Sequence, residues 1–168
     1  MMARAALALA LAGLSLSLTG CGLQPIYAGG SSGVVARGLA GVEVPAIAGR
    51  EGWLIRNALQ ERLSVAGEAT PQYRLDIVLD DQLEGLGLLT DDTIGRERRT
   101  LRARYQLVEI ATDAILVDAT AGSDAGIDVV SSEYATIAAE QTALENLAEE
   151  VADQIVVRLT RVLRERDQ

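Results

Sequence analysis

Five arginines fall between positions 96 and 104: Arg96, Arg98, Arg99, Arg102 and Arg104. A guanidinium grips a phosphate or a carboxylate with two parallel N–H bonds, which lysine cannot do. In an extended strand, Arg98, Arg102 and Arg104 share the face opposite Leu101, Ala103 and Tyr105, with same-face neighbours ~7 Å apart. Three such arginines would hold a multiply phosphorylated ligand. The plainer reading is a solvated strand face, balanced by acids such as Asp76 and Asp80 on a neighbouring strand. The second chemical candidate is Cys21, the only thiol in the chain. It closes the run Leu18-Thr19-Gly20-Cys21, behind Arg4 and an apolar stretch from Ala5 to Leu18. A charged start, a short apolar stretch and small residues before a cut site mark a secretory signal peptide. The stretch is too short for a spanning helix, which needs ~20 apolar residues.

A cysteine directly after Leu-Thr-Gly resembles the lipobox of bacterial lipoproteins. That resemblance implies a diacylglyceryl group on the Cys21 sulfur, cleavage of residues 1–20, and acylation of the new amino group by a chain such as palmitate. One acyl chain holds a protein only marginally, whereas three anchor it firmly. The next residue is Gly22 rather than aspartate. By the sorting tendency of such lipoproteins, this favours the outer membrane.

Other chemistries find little support. The chain has no histidine, which removes the commonest general base and metal ligand. With one acylated cysteine, zinc and Cys–His chemistry fall away as well. Asp80, Asp81, Glu84, Asp91 and Asp92 match no calcium-loop spacing, and they read as a polar turn rather than a glycosidase carboxylate pair. Ser64, Ser123, Ser131 and Ser132 lack a histidine base, and no Gly-x-Ser-x-Gly, Walker or Rossmann glycine pattern occurs. The expectation is a protein that is not an enzyme, with no catalytic residue, cofactor or metal. The net charge of −9 argues against nucleic acid as a partner. Every basic residue is arginine, which a GC-rich genome explains more simply than phosphate recognition does.

These residues need a scaffold. Residues 21–33, ending in Ala28-Gly29-Gly30-Ser31-Ser32-Gly33, read as a lipidated flexible tether, and 34–168 as a single domain. Gly41 to Pro45 predicts a short first strand. Ile55, Leu59 and Leu63 recur every four residues and predict a helix from Arg50 to Val65. Tyr73, Leu75, Ile77 and Leu79 alternate with polar residues, as do Leu101, Ala103, Tyr105 and Leu107; Ile115, Val117, Ala119 and Ala121 mark a further strand. Glu84 to Asp92 reads as a turn and Gly122 to Ser132 as a polar loop, with Ser131 or Ser132 placed to cap a last helix. From Tyr134 to about Arg164, Ile137, Leu144, Leu147, Val151, Ile155, Leu159 and Val162 keep helical spacing. The expected fold is α+β: two helices on one face of a four-stranded, mostly antiparallel sheet, in the order β-α-β-β-β-α.

With those parts in place, the chain resembles the LPS-assembly lipoprotein family over nearly its whole length. The run Cys21-Gly22-Leu23-Gln24-Pro25-Ile26-Tyr27 is similar to the start of alphaproteobacterial members. Val44-Pro45, Arg50 and Leu54-Ile55-Arg56-Asn57-Ala58-Leu59 resemble the family's first helix. Tyr73-Arg74-Leu75, Tyr134-Ala135, Leu147-Ala148 and Ile155-x-x-Arg158-Leu159 come next in the family's order. The resemblance implies a lipid-anchored protein on the periplasmic side of the outer membrane. It implies a non-enzymatic plug and assembly factor for the barrel that carries lipopolysaccharide to the surface, with that barrel and lipopolysaccharide as partners. It places ligand contact on basic residues of the sheet, here Arg98, Arg102 and Arg104. The alternative is an adaptor lipoprotein of another envelope transport complex.

Overall fold

The computed structural model describes residues 34–67, 69–88 and 94–166. Alternation of apolar and polar residues drives its sheet. The order is α1 (Val34–Ala40), β1 (Val42–Glu43), α2 (Gly49–Ser64), β2 (Tyr73–Leu88), β3 (Ile94–Glu109), β4 (Ala114–Asp128) and α3 (Glu133–Arg166). The strands lie in the order β1-β2-β3-β4. β1 joins β2 in parallel, while β2–β3 and β3–β4 are antiparallel. The expected α+β layering, with helices on one face of a mostly antiparallel sheet, is the observed one.

Every second side chain of the sheet turns inward. Leu75, Leu101, Ala103, Tyr105, Leu107, Val117, Ala121 and Ile127 are buried there. Against them lie Ile55, Leu59 and Leu63 of α2 and Leu144, Leu147, Val151, Ile155, Leu159 and Leu163 of α3. α3 has 34 residues and is ~51 Å long at 1.5 Å per residue. The 16 residues of β3 span ~53 Å, so one helix runs the length of the meander. Its first turn is capped by Ser132, whose Oγ accepts from the Ala135 N–H at 3.4 Å. Arg62 laces the helices together: it pairs with Asp153 and donates to the carbonyls of Ala58 (3.0 Å) and Glu149 (3.3 Å).

Several boundaries differ from expectation. The region from Glu84 to Leu88, expected as part of a turn, continues β2, because the β2–β3 register is kept from Tyr73↔Glu109 to Leu88↔Ile94, past Gly87 at φ +72°. Asp91 and Asp92 lie outside the described residues. The expected loop from Gly122 is β4 as far as Asp128, held by pairing from Gly122↔Arg102 to Asp128↔Arg96. Short polar and glycine residues are poor strand formers alone, but a long partner strand supplies the hydrogen bonds. α1 has no counterpart in the expected order; seven residues show too little periodicity, and its hold comes from buried Ala36 and Leu39. One residue counted in a helical stripe, Ile137, faces solvent at 43% exposure. No helix among the described residues is long and apolar enough to cross a membrane.

Candidate functional site

The outer face of the sheet, opposite the helices, is a charge-striped surface centred on β3. Strand parity puts Arg96, Arg98, Arg102 and Arg104 on this face together. Arg96 thus joins the three arginines grouped from the sequence, and the signal for it was the same parity.

The arginines are not equivalent. Arg104 forms a two-pronged pair with Asp118 of β4, with Nε–Oδ1 at 3.1 Å and Nη2–Oδ2 at 2.9 Å. Arg96 meets Asp128 at 3.0 Å, and Arg98 meets Asp124 more loosely at 3.8 Å. Arg102 makes no ion pair among the described residues. Its stem lies across Gly122, where an added Cβ would stand 3.2 Å from the Arg102 Cγ. The balancing acids therefore come from β4, not from the Asp76 and Asp80 expected on β2. Asp76 is taken by Arg74 at 3.0 Å, and Asp80 accepts from the Gln82 amide at 3.2 Å.

Hydrogen bonds from Arg104 and then Gln106 hold the Asp118 carboxyl at about 2, below its ordinary 3.8. A lowered folded value stabilises the fold above the ordinary value and stops doing so as pH falls from about 4 to about 2. Carboxyl titration by NMR should show Asp118 with a midpoint near 2. Arg104→Gln should move that midpoint up toward 3.8; an unmoved midpoint would remove Arg104 as the cause.

Beneath this surface lies a pair that sequence reasoning missed. Arg99 has the parity of Leu101 and so turns inward. It donates to Asp81 through Nε at 2.9 Å and Nη2 at 2.6 Å, and to the Glu140 carbonyl of α3 at 3.1 Å. The two side chains are only 16% and 18% exposed. The hydrogen bond to Asp81 raises the Arg99 value further, against the opposing effect of burial. Parity alone was the available signal: in a run of arginines, the odd-numbered one is the buried one. This pair fastens α3 to the sheet and belongs to the architecture.

Cys21 lies outside the described residues. Among those described, no three His, Cys, Asp or Glu side chains are grouped as a metal site.

The fold has solved counterparts. A protein described as a candidate lipoprotein from Caulobacter crescentus is 25% identical, with a TM-score of 0.66, covering 80% of this chain and 98% of its own. A minor lipoprotein from Acinetobacter baumannii is 13% identical, with a TM-score of 0.57 and coverage of 71% and 88%. Rare lipoprotein B from Shewanella oneidensis is 11% identical, with a TM-score of 0.55 and coverage of 76% and 97%. The last two show likeness of fold alone. No curated protein sequence matches the chain. The sequence pattern of the LptE lipopolysaccharide-assembly family matches residues 39–159, from the end of α1 to deep in α3. That stretch contains the whole sheet and nearly all of the core, so the chain belongs to the LptE lipopolysaccharide-assembly family, whose members are envelope lipoproteins.

Proposed function

We propose that this lipoprotein is the non-enzymatic plug and assembly partner of the outer-membrane barrel that delivers lipopolysaccharide to the cell surface. The observation that carries the reading is the family match across residues 39–159. Cys21 holds the chain to the periplasmic side of the outer membrane, and residues 21–33 tether the single domain beyond them. Depletion is the decisive experiment. Loss of surface lipopolysaccharide, together with a barrel recovered by crosslinking from outer membranes, supports the plug. Intact surface lipopolysaccharide would favour an adaptor for another transport complex and sink the reading.

The anchor has its own test. Cys21→Ala should leave the domain folded, since the tether separates the two, but release it from membranes. Detergent-free fractionation that still finds all of the variant in the outer membrane would refute the anchor.

Arg98, Arg102 and Arg104 are proposed to meet lipopolysaccharide phosphates or acids of the barrel wall. Arg102 is available as it stands, whereas Arg98 and Arg104 must give up Asp124 and Asp118. Exposed ion pairs of that kind are weak. A guanidinium held by a phosphate or carboxylate away from water forms a stronger, two-pronged contact, which favours the exchange. The acidic net charge of −9 weakens capture of free ligand at a distance and suits a ligand delivered within a barrel. Replacing all three by Gln should weaken binding to ligand or barrel without unfolding the domain. Replacing them by Lys should restore only part of the binding. A triple Gln variant that binds both partners like the parent would leave a solvated face and nothing more.

A further inference from the structure

β4 is the edge of the sheet, and in an antiparallel strand alternate residues turn their backbone groups toward the free side. Gly122 identifies which ones. Its N–H donates to Gln154 Oε1 at 3.3 Å, and its carbonyl accepts from Gln154 Nε2 at 3.2 Å, so α3 caps the edge there. Val130 has the same parity, and its N–H donates to Thr136 Oγ1 at 3.3 Å, so α3 caps the edge again. Between the two caps lie Asp124, Gly126 and Asp128. Their outward N–H and C=O groups have no hydrogen-bond partner among the described residues. Beside them runs a groove of about 550 Å³ between β4 and α3, lined on the helix side by Ala139, Thr142, Ala143, Asn146, Leu147 and Glu150. An edge left open in this way is a template for another strand.

We propose that the Asp124–Asp128 edge receives an extended segment of a partner protein, added to the sheet as a fifth strand, with basic residues at alternate positions. The hydrogen-bonding groups define the extended backbone. Charge defines the side chains. Asp124 and Asp128 project from the outer face with side chains 64% and 75% exposed, and between them Gly126 leaves open space where a side chain would be. A cation opposite Gly126 lies diagonal to both carboxylates, within reach of a long side chain. On the other side of β4, Arg98 stands opposite Gly126 and reaches diagonally to Asp124, while Arg96 pairs with Asp128 directly across from it. The intervening residues of the incoming strand point into the groove, where alanines leave room for valine-sized side chains. A second copy of this chain is the poorer occupant, because joining two β4 edges brings acids against acids. The docking does not depend on the identity of the barrel, but it shares Asp124 with Arg98 and Asp128 with Arg96 of the outer face.

The test uses full-length protein in detergent and two end-blocked heptapeptides, one alternating arginine with valine and the other glutamate with valine. Hydrogen exchange at Asp124, Gly126 and Asp128, fast in the free protein, should slow by about tenfold or more with the arginine peptide and stay unchanged with the glutamate peptide. Gly126→Pro deletes an N–H that faces away from β3, which an edge strand tolerates, and should abolish the protection. Should that variant unfold, Asp124→Asn with Asp128→Asn keeps the backbone and should weaken binding of the arginine peptide several-fold. No slowing at these amides with millimolar arginine peptide overturns the proposal, as does equal protection by the glutamate peptide. Unchanged binding by a folded Gly126→Pro variant, or by the double Asn variant, overturns it too. Protection that rises with protein concentration alone would assign the edge to a second copy and also overturn it.

Discussion

Leu59→Ala and Ile155→Ala should each lower the unfolding free energy by ~2–5 kcal/mol, the range for large-to-small changes in a packed core. Both side chains are fully buried, Leu59 on α2 and Ile155 on α3, within one continuous cluster that includes Leu75, Leu101 and Leu107 of the sheet. Truncation removes apolar area from the core and also leaves a cavity. The long helix cannot collapse into that cavity without pulling the rest of its 34 residues off the strands. Urea denaturation gives the readout: the midpoint should fall with little change in slope, since the surface exposed on unfolding is nearly the same. Ile137→Ala is the matched control. It removes the same side chain from the same helix at a site 43% exposed, and should cost well under ~1 kcal/mol. A loss below about 1 kcal/mol at Leu59 or Ile155 would mean that these faces are not the core.

Such a contrast shows what the sequence could reveal. Period-four spacing marks Ile55, Leu59 and Leu63, and strand alternation marks Leu75, Leu101 and Leu107, because burial of one face writes itself into composition. The signal fails where pairing rather than side-chain burial decides the structure. Glu84 to Leu88 and Gly122 to Asp128 carry glycines and acids that usually end a strand, yet they are held by the ladder of β3 between them. Ile137 keeps the helical spacing but lies near the start of α3 and faces solvent. At the candidate site, parity groups Arg98, Arg102 and Arg104 correctly on one face. Their separate environments depend on register: Asp118 and Asp124 sit on a strand whose pairing with β3 contains an irregularity at Leu107/Val108 that sequence alone does not reveal. The Arg99–Asp81 pair was hidden for a different reason, since charged residues are rarely placed inside on composition alone.

That inward pair yields the second large effect. Asp81→Ala should destabilise the domain by about 2–3 kcal/mol, because it leaves the Arg99 guanidinium mostly out of water with the Glu140 carbonyl as its one hydrogen-bond acceptor and the Glu140 and Glu51 charges only nearby. The figure lies below that for a fully buried pair because 16% exposure lets water reach the orphaned charge. Replacing both residues separates the cost of the broken pair from the worth of the intact one. Arg99→Met with Asp81→Leu fills similar volume without charge, and should return stability to near or above that of the parent. The damage from Asp81→Ala should also be local before it is global. Arg99 ties the sheet to α3 at Glu140, so amides in the first turns of α3 should exchange faster than those around Ile155. If Asp81→Ala costs less than ~0.5 kcal/mol, water already screens the pair as it does a surface bridge. If the uncharged double variant is as unstable as the single one, the bidentate geometry itself stabilises the fold, and this end of α3 depends on a hydrogen bond that no apolar packing replaces.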